Sequence, residues 1–332
     1  MKKIIGLILV FGLLISILAG CTVGVNKETD IKEEVLESIS LKVAAPSGAP
    51  TLSMIKMFKE NPAFGDNVEI NYESIKSPDL MASRILSGEL DIAVVPTNLA
   101  ATLYNKGAQY SLAASTVWGV LYVVGNESIE GWDALKGKEI YTMGRGLTPD
   151  IAFRYLLSSN GINPDEDVTL TYLGDATELA SAFIAGKSSI SVIPEPVLSN
   201  VMLKKANTMI LLDLQEEWEK LNAGASSYPQ ASLIIKKEVY EKHPELINSF
   251  LKEYESSIDW LVKNSETAGA YSEELGTGLS KAAVVNGLER SNIRYVGAQE
   301  AKEAISAYLK VLYDYSPEVI GGKLPDEGFY LK

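Results

Sequence analysis

The chain is poor in the residues that most catalytic and metal-binding proteins rely on. One cysteine in 332 residues leaves no intramolecular disulfide to form, and one histidine excludes a two-histidine metal site. There is no basic surplus: 30 Lys and Arg stand against 43 Asp and Glu, a formal charge of −13. Nothing is left over to neutralise a phosphate backbone, so no nucleic-acid partner is expected. Past the first twenty residues no apolar run approaches the ~20 residues that span a bilayer. The remaining composition is ordinary: 46% hydrophobic, 22% charged and 8% aromatic residues exclude disordered, collagenous and coiled-coil chains. At roughly 150 residues per domain the length suggests two domains, each large enough for its own core.

The first twenty residues read as an address. Lys2 and Lys3 precede an apolar run from Ile4 to Leu18, which meets Ala19, Gly20 and Cys21. A short basic region, an apolar stretch and a small-residue exit describe a secretory signal over residues 1–20. Leu18-Ala19-Gly20-Cys21 resembles the bacterial lipobox, whose cysteine is diacylated, and the lone cysteine stands at the position that motif needs. Two acyl chains would hold Cys21 at the outer leaflet stably. Residues 21–39, charged and with few apolar side chains, read as a solvated tether. The body is therefore expected at the cell membrane, lipid-anchored and facing away from the cytoplasm.

A repeat lies within the body. Ser87-Gly88-Glu89-Leu90-Asp91-Ile92-Ala93-Val94-Val95-Pro96 has a partner 98 residues later, Ala185-Gly186-Lys187-Ser188-Ser189-Ile190-Ser191-Val192-Ile193-Pro194. The same offset carries Leu41–Gly48 onto Glu139–Gly146, and Val68, Ile70 and Tyr72 are answered by Val168, Leu170 and Tyr172. Each copy reads as a strand, a Gly-containing turn into a helix, an alternating strand, a second helix and a buried strand ending in Pro. Strands separated by helices of this length imply parallel sheets with crossover helices. The expectation is an α/β fold of two similar lobes, each a mostly parallel sheet flanked by helices.

Two apolar segments place the hinge. Val117–Val124 reads as a strand leaving lobe 1, and Gln230–Ile235 as a strand returning to it. Lobe 1 is then discontinuous, residues 40–122 and 230–332, with lobe 2 at 123–229 inserted; helices are expected over 243–263, 268–275, 279–291 and 298–315. A cleft between lobes joined by two strands is the hinge-closure design for capturing a small ligand.

In open parallel sheets ligands sit beyond the carboxyl ends of the strands, so the candidate residues lie in four loops. In the first pair, Ser47, Gly48, Ala49 and Thr51 face Gly146, Leu147 and Thr148. Thr148 suits an N-cap and Pro149 the first helical position, which would leave backbone N–H groups and the positive helix end facing the cleft. In the second pair, Thr97 and Asn98 follow Pro96, and Glu195 follows Pro194. Glu195 stands open between ligand contact, a solvated acid and a tie between the lobes. Trp118 and Tyr228, beside the hinge strands, are the stacking candidates; Trp132, Trp218 and Trp260 read as helix packing.

Catalytic motifs fail on inspection. Gly144-Arg145-Gly146 lacks the third glycine of the dinucleotide pattern, and Gly186-Lys187-Ser188 follows a helix and has Ser181 where a phosphate loop needs glycine. No G-x-S-x-G occurs, and His243, beside Pro244, reads as a structural residue at a helix start. No enzyme, metal or cofactor is expected.

From Leu41 to Lys332 the chain resembles the extracytoplasmic solute-binding proteins of ABC importers, in the group that binds alkanesulfonates, taurine and thiamine precursors. The residues carrying the resemblance are Pro46-Ser47-Gly48-Ala49-Pro50, Ser87–Ala93, Trp132–Lys138, Gly146–Asp150, Gly186 with Pro194-Glu195-Pro196, and Gly321–Pro325. The resemblance implies a type II periplasmic-binding fold, monomeric, closing on one small polar or anionic organic solute. It further implies delivery of that solute to a membrane permease and its ATPase. In that group, sulfonates are held by helix-start amides and small hydroxyls, which Ser47, Thr51 and Thr148 would supply. Glu195 would repel a pure anion, and a zwitterion, an amine-bearing heterocycle or a neutral aromatic fits as well. A same-fold enzyme acting on a small aromatic or pyrimidine precursor and a surface sensor remain as alternatives.

Overall fold

Twin sheets organise the body. The computed structural model describes residues 38–76, 78–222 and 227–332; the leader, Cys21 and the tether up to residue 37 lie outside the described residues. Residues Ser38–Lys332 form one unit. Eleven strands are described: β1 (Ile39–Pro46), β2 (Val68–Ile75), β3 (Ile92–Pro96), β4 (Tyr110–Trp118), β5 (Leu121–Gly125), β6 (Glu139–Met143), β7 (Thr169–Leu173), β8 (Ile190–Pro194), β9 (Met209–Asp213), β10 (Pro229–Lys236) and β11 (Ile293–Gly297).

The sheets share one plan. Lobe 1 has strand order β11-β4-β10-β3-β1-β2, and lobe 2 has β7-β6-β8-β5-β9. In lobe 1, β1 is parallel to β2 and β3; in lobe 2, β6 is parallel to β7 and β8. The fourth position of each sheet is an antiparallel strand that has arrived from the other lobe, β10 beside β3 and β5 beside β8. The sequence repeat is thus a structural one, with β3 and β8 each ending in the proline that anchored it. Strands β4 and β5 are buried along their whole length, as expected where both sheet faces are covered.

The strand expected unbroken over Val117–Val124 is two strands in different sheets, divided at Gly119 and Val120. The division has a packing cause. Gly119 donates its N–H to the Tyr228 carbonyl at 2.9 Å. A Cβ there would meet Gln215 Cγ at 2.5 Å and both Ser227 Oγ and Tyr228 Cε1 at 2.9 Å. The two inter-lobe passages therefore touch at this glycine.

Beyond β10 the helix Pro244–Lys263 buries Ile247, Phe250, Tyr254, Ser257, Ile258 and Leu261, a stripe at three- and four-residue spacing. Each fully buried Ile, Leu or Phe of that stripe contributes about 2 kcal/mol relative to exposure. Of the helical stretch expected over 279–291, the helix occupies only Lys281–Gly287, with a 3₁₀ turn over Glu289–Ser291. That helix packs on the lobe 2 helix Val197–Lys204, where Ser280 Oγ meets Asn200 Oδ1 at 3.3 Å. Strand β11 then pairs with β4 and carries the chain back into the lobe 1 sheet. The segment counted with lobe 1 in the sequence thus clasps lobe 2. Among the described residues no helix is long and apolar enough to cross a membrane.

Candidate functional site

All six parallel strands deliver their carboxyl ends into one cleft between the lobes. Lobe 1 contributes Ser47 and Gly48 after β1, Lys76 after β2 and Pro96 closing β3; lobe 2 contributes Gly144 after β6, Asp175 after β7 and Glu195 after β8. Thr277 and Leu279, which lead into the clasp, form a side wall. The cleft has two compartments of about 100 and 90 Å³, sharing Pro46, Pro96, Met143, Pro149 and Ala176 among other residues. Its walls are mainly apolar; Met81, Leu99, Leu147 and Val197 line the larger compartment.

Several backbone N–H groups at the lobe 2 helix starts are already paired. Asp150 accepts from Gly146 N at 2.8 Å and from the Tyr172 hydroxyl at 2.6 Å. Asp175 caps Thr177 N and Glu178 N at 2.7 and 2.8 Å, while Glu178 accepts from Gly174 N at 2.8 Å. Glu195 accepts from Ser199 N at 3.0 Å and Ser199 Oγ at 3.1 Å. Negative groups at helix starts are the favourable placement. Burial pushes the Asp150 carboxyl above its ordinary value, opposed by the Gly146 N–H and the Tyr172 hydroxyl. Burial, followed by the bond to Asp150, pushes Tyr172 up to about 12.

Glu195 ties segments together. It is fully buried and accepts from Arg290 Nε at 2.7 Å, while Arg290 Nη2 donates to Ser199 Oγ at 2.9 Å. Burial raises its carboxyl above the usual value, and the Ser199 amide and Arg290 act against that rise. Gly287 makes room for the pair, since a Cβ there would lie 2.7 Å from Glu195 Oε2. Full burial removes the solvated-acid reading of Glu195; its bonds run to its own helix start at Ser199 and to Arg290 of the returning segment, and it also lines the smaller compartment.

The sequence candidates separate into those lining the cleft and those behind it. Ser47, Gly48, Ala49, Leu147 and Glu195 line it. Thr51 lies beneath the first loop, donating to the Pro46 carbonyl at 2.8 Å. Thr97 pairs with Ser232 Oγ at 2.9 Å inside lobe 1. Asn98, Gly146 and Thr148 join the lobes: Asn98 Nδ2 donates to the Gly146 carbonyl at 3.0 Å, and Thr148 Oγ1 donates to Asn98 Oδ1 at 3.1 Å. Thr148 is not the N-cap of its helix; Leu147 holds that place without a side-chain cap bond, because the Thr148 hydroxyl is engaged by Asn98 and by Tyr308 at 3.2 Å.

The stacking candidates point elsewhere. Tyr228 is buried against Trp218 and stacked on Tyr308 at 5.9 Å, with its hydroxyl on Gln215 at 3.3 Å. Trp118 is buried beneath the Arg294 guanidinium, 4.2 Å from its ring. Neither lines the cleft compartments, since each was placed by sequence proximity to the hinge rather than by side-chain direction. Met143, Pro149, Ala176 and Gln230 line the smaller compartment and were not singled out as ligand residues. Met143 and Gln230 lie next to hinge or loop residues already marked, so strand-end position was the available signal. Among the described residues no group of three or more His, Cys, Asp or Glu is placed to hold a metal.

Paired α/β lobes, each receiving a strand from the other and meeting at a cleft of strand ends, define the type II periplasmic-binding architecture. Residues 56–273 match the NMT1-like family, and the chain belongs to it. A solved ABC transporter protein from Parabacteroides distasonis is 30% identical, with 89% of this chain and 99% of that one covered and a TM-score of 0.73. The periplasmic aliphatic sulphonate binding protein SsuA of Escherichia coli shares the fold at 15% identity and a TM-score of 0.66, covering 88% and 94% of the two chains. The periplasmic nitrate-binding protein NrtA of Synechocystis PCC 6803 does so at 12% identity and 0.64, covering 86% and 84%. The Bacillus subtilis protein YtlA is 23% identical over 205 residues, which span 60% of this chain and 59% of that protein.

Proposed function

We propose that the chain is the extracytoplasmic solute-binding lipoprotein of an ABC importer, a receptor and not an enzyme. The observation that carries this reading is the convergence of all six parallel strand ends, three from each lobe, on one cleft. In the open form a small organic solute meets the lobe 1 loops at Ser47, Gly48 and Pro96. Lobe 2 then rotates about the passages that touch at Gly119, bringing Met143, Leu147 and Pro149 over it. A solute shifts the closed population only by as much as it contacts both lobes, and a cleft lined from both sides meets that condition. The closed form is what a permease, powered by its ATPase, would receive. Diacylation of Cys21 after removal of residues 1–20 would hold the protein at the membrane, with residues 21–39 as the tether.

The test is co-purification. The full chain, incubated with a cell metabolite extract and freed of unbound solute, is expected to retain one small compound and release it unchanged on denaturation. Release of a chemically altered compound would replace the receptor reading with the enzyme one.

A further inference from the structure

Several donors that a simple anion would use in lobe 2 are already claimed. The N–H groups of Gly146, Gly174, Thr177 and Ser199 are each bonded by one of the chain's own carboxylates, Asp150, Glu178, Asp175 and Glu195. A sulfonate or nitrate seated there would displace those carboxylates or lie beside them uncompensated, and a buried charge without a partner is costly. Lys76 is exposed and so screened by water, Arg145 covers the Tyr172 ring at 4.7 Å, and Arg290 is held by Glu195. The helix starts without a side-chain cap, at Ala49 and Thr97 in lobe 1 and at Thr148 in lobe 2, can donate to a ligand acceptor but bring no countercharge.

One buried acceptor in the cleft has no partner. Gln230 lines the smaller compartment at the start of β10 and is 8% exposed, yet its Oε1 has no hydrogen-bond partner among the described residues. The compartment it shares with Val117, Val120, Pro194 and Ala231 is lined mainly by apolar groups, Ser47 and the committed Glu195 apart. Leaving such an atom unpaired is costly, so the site gains when a ligand brings a donor to it.

We propose that the cleft takes a small, uncharged or singly cationic organic molecule with an apolar body, and that Gln230 Oε1 accepts an N–H or O–H from it. This rests on the receptor reading above. Gln230 opens β10 at the end of one inter-lobe passage, so a ligand bonded there touches the hinge side of the cleft while its apolar body meets Met143, Pro149 and Ala176 from lobe 2.

The experiment compares the full chain with Gln230→Leu and Gln230→Glu. Each protein, in mild detergent, is incubated with the same metabolite extract, gel-filtered and denatured, and the released compound is weighed in both ion polarities. Deuterium exchange counts its N–H and O–H groups, and circular dichroism melts report folding. The expected compound is neutral or cationic with at least one exchangeable hydrogen. Gln230→Leu should lower its retention at least tenfold, whereas Gln230→Glu, which keeps an acceptor, should hold it. Release of an anion such as a sulfonate, nitrate or phosphate ester would overturn the ligand class and leave the receptor reading intact. Undiminished retention by folded Gln230→Leu would overturn the role of Gln230. Should Gln230→Leu fail to fold, loss of retention by folded Gln230→Glu would overturn it in the same way. Wild-type protein that retains nothing would overturn the receptor reading and this proposal with it.

Discussion

Asn98 and Gly146 stand in different lobes, and the Asn98 side chain donates to the Gly146 carbonyl at 3.0 Å. The same carboxamide accepts from Thr148 at 3.1 Å and donates to the Val319 carbonyl at 3.0 Å. One buried side chain thus spends two bonds across the cleft and one within lobe 1, which makes closure a property of specific hydrogen bonds as well as of shape.

Asn98→Ala removes both cross-cleft bonds. At about 1 kcal/mol each, the closed form should lose about 2 kcal/mol, and solute retention should fall on the order of 30-fold. Small-angle scattering of the variant should show a larger radius of gyration. Unchanged scattering with unchanged retention would place the closing contacts elsewhere.

Glu195 and Arg290 should make stability depend on pH. Burial raises the Glu195 carboxyl, so the folded state binds that proton more tightly than the unfolded chain. Its contribution to stability is fully present below the ordinary glutamate value and is lost as pH rises through the raised one. Urea titrations across this acidic window should show that slope in the wild type and a flatter one in Glu195→Gln. Arg290→Leu should cost about 2 kcal/mol at neutral pH, less than a fully buried pair because the Arg290 side chain is 38% exposed. The deficit should shrink as acid protonates Glu195. A pH-independent deficit would show that Glu195 does not titrate as described.

Gly119→Ala tests the hinge packing. A Cβ placed 2.5 Å from Gln215 Cγ and 2.9 Å from Tyr228 Cε1 forces the two passages apart, and overpacking of this kind costs about 1–3 kcal/mol. Gly146→Ala has nothing within 4 Å of the added carbon, and its φ of +73° leaves only backbone strain, about 1 kcal/mol. Thermal melts should rank Gly119→Ala as the more damaging, and the reverse order would contradict the packing at Gly119.

Cys21→Ala should release the protein from the membrane fraction into the soluble one, and metabolic labelling with a fatty-acid analogue should mark the wild type alone. Persistent membrane attachment of an unlabelled variant would remove Cys21 from that role.

The sequence revealed what repeats and what punctuates. Pro96 and Pro194 end equivalent strands at a constant offset, and the glycines before them mark equivalent turns, so the twin-lobe plan was readable from local spacing. Side-chain destinations were not. Tyr228 is drawn into a cluster with Trp218 and Tyr308, and no local pattern announces a contact across 80 residues. Asp150 stands four residues after Gly146, a spacing compatible with a self-closed loop, yet the same stretch also reads as an open anion-friendly helix start. Only the placement of its carboxylate on Gly146 N decides between them. The clasp was hidden for a similar reason, because Arg290 reaches Glu195 from 95 positions away.

The account as a whole is tested most directly by a distance between the lobes. With Cys21 replaced the chain has no cysteine, so spin labels at Ser87→Cys in lobe 1 and Lys187→Cys in lobe 2, both exposed, report one inter-lobe distance by electron double resonance. On addition of a metabolite extract that leaves a retained compound, the distribution should move to a single shorter distance and return when the compound is dialysed away. A distribution that stays the same while the compound is bound would contradict closure of the two lobes around it.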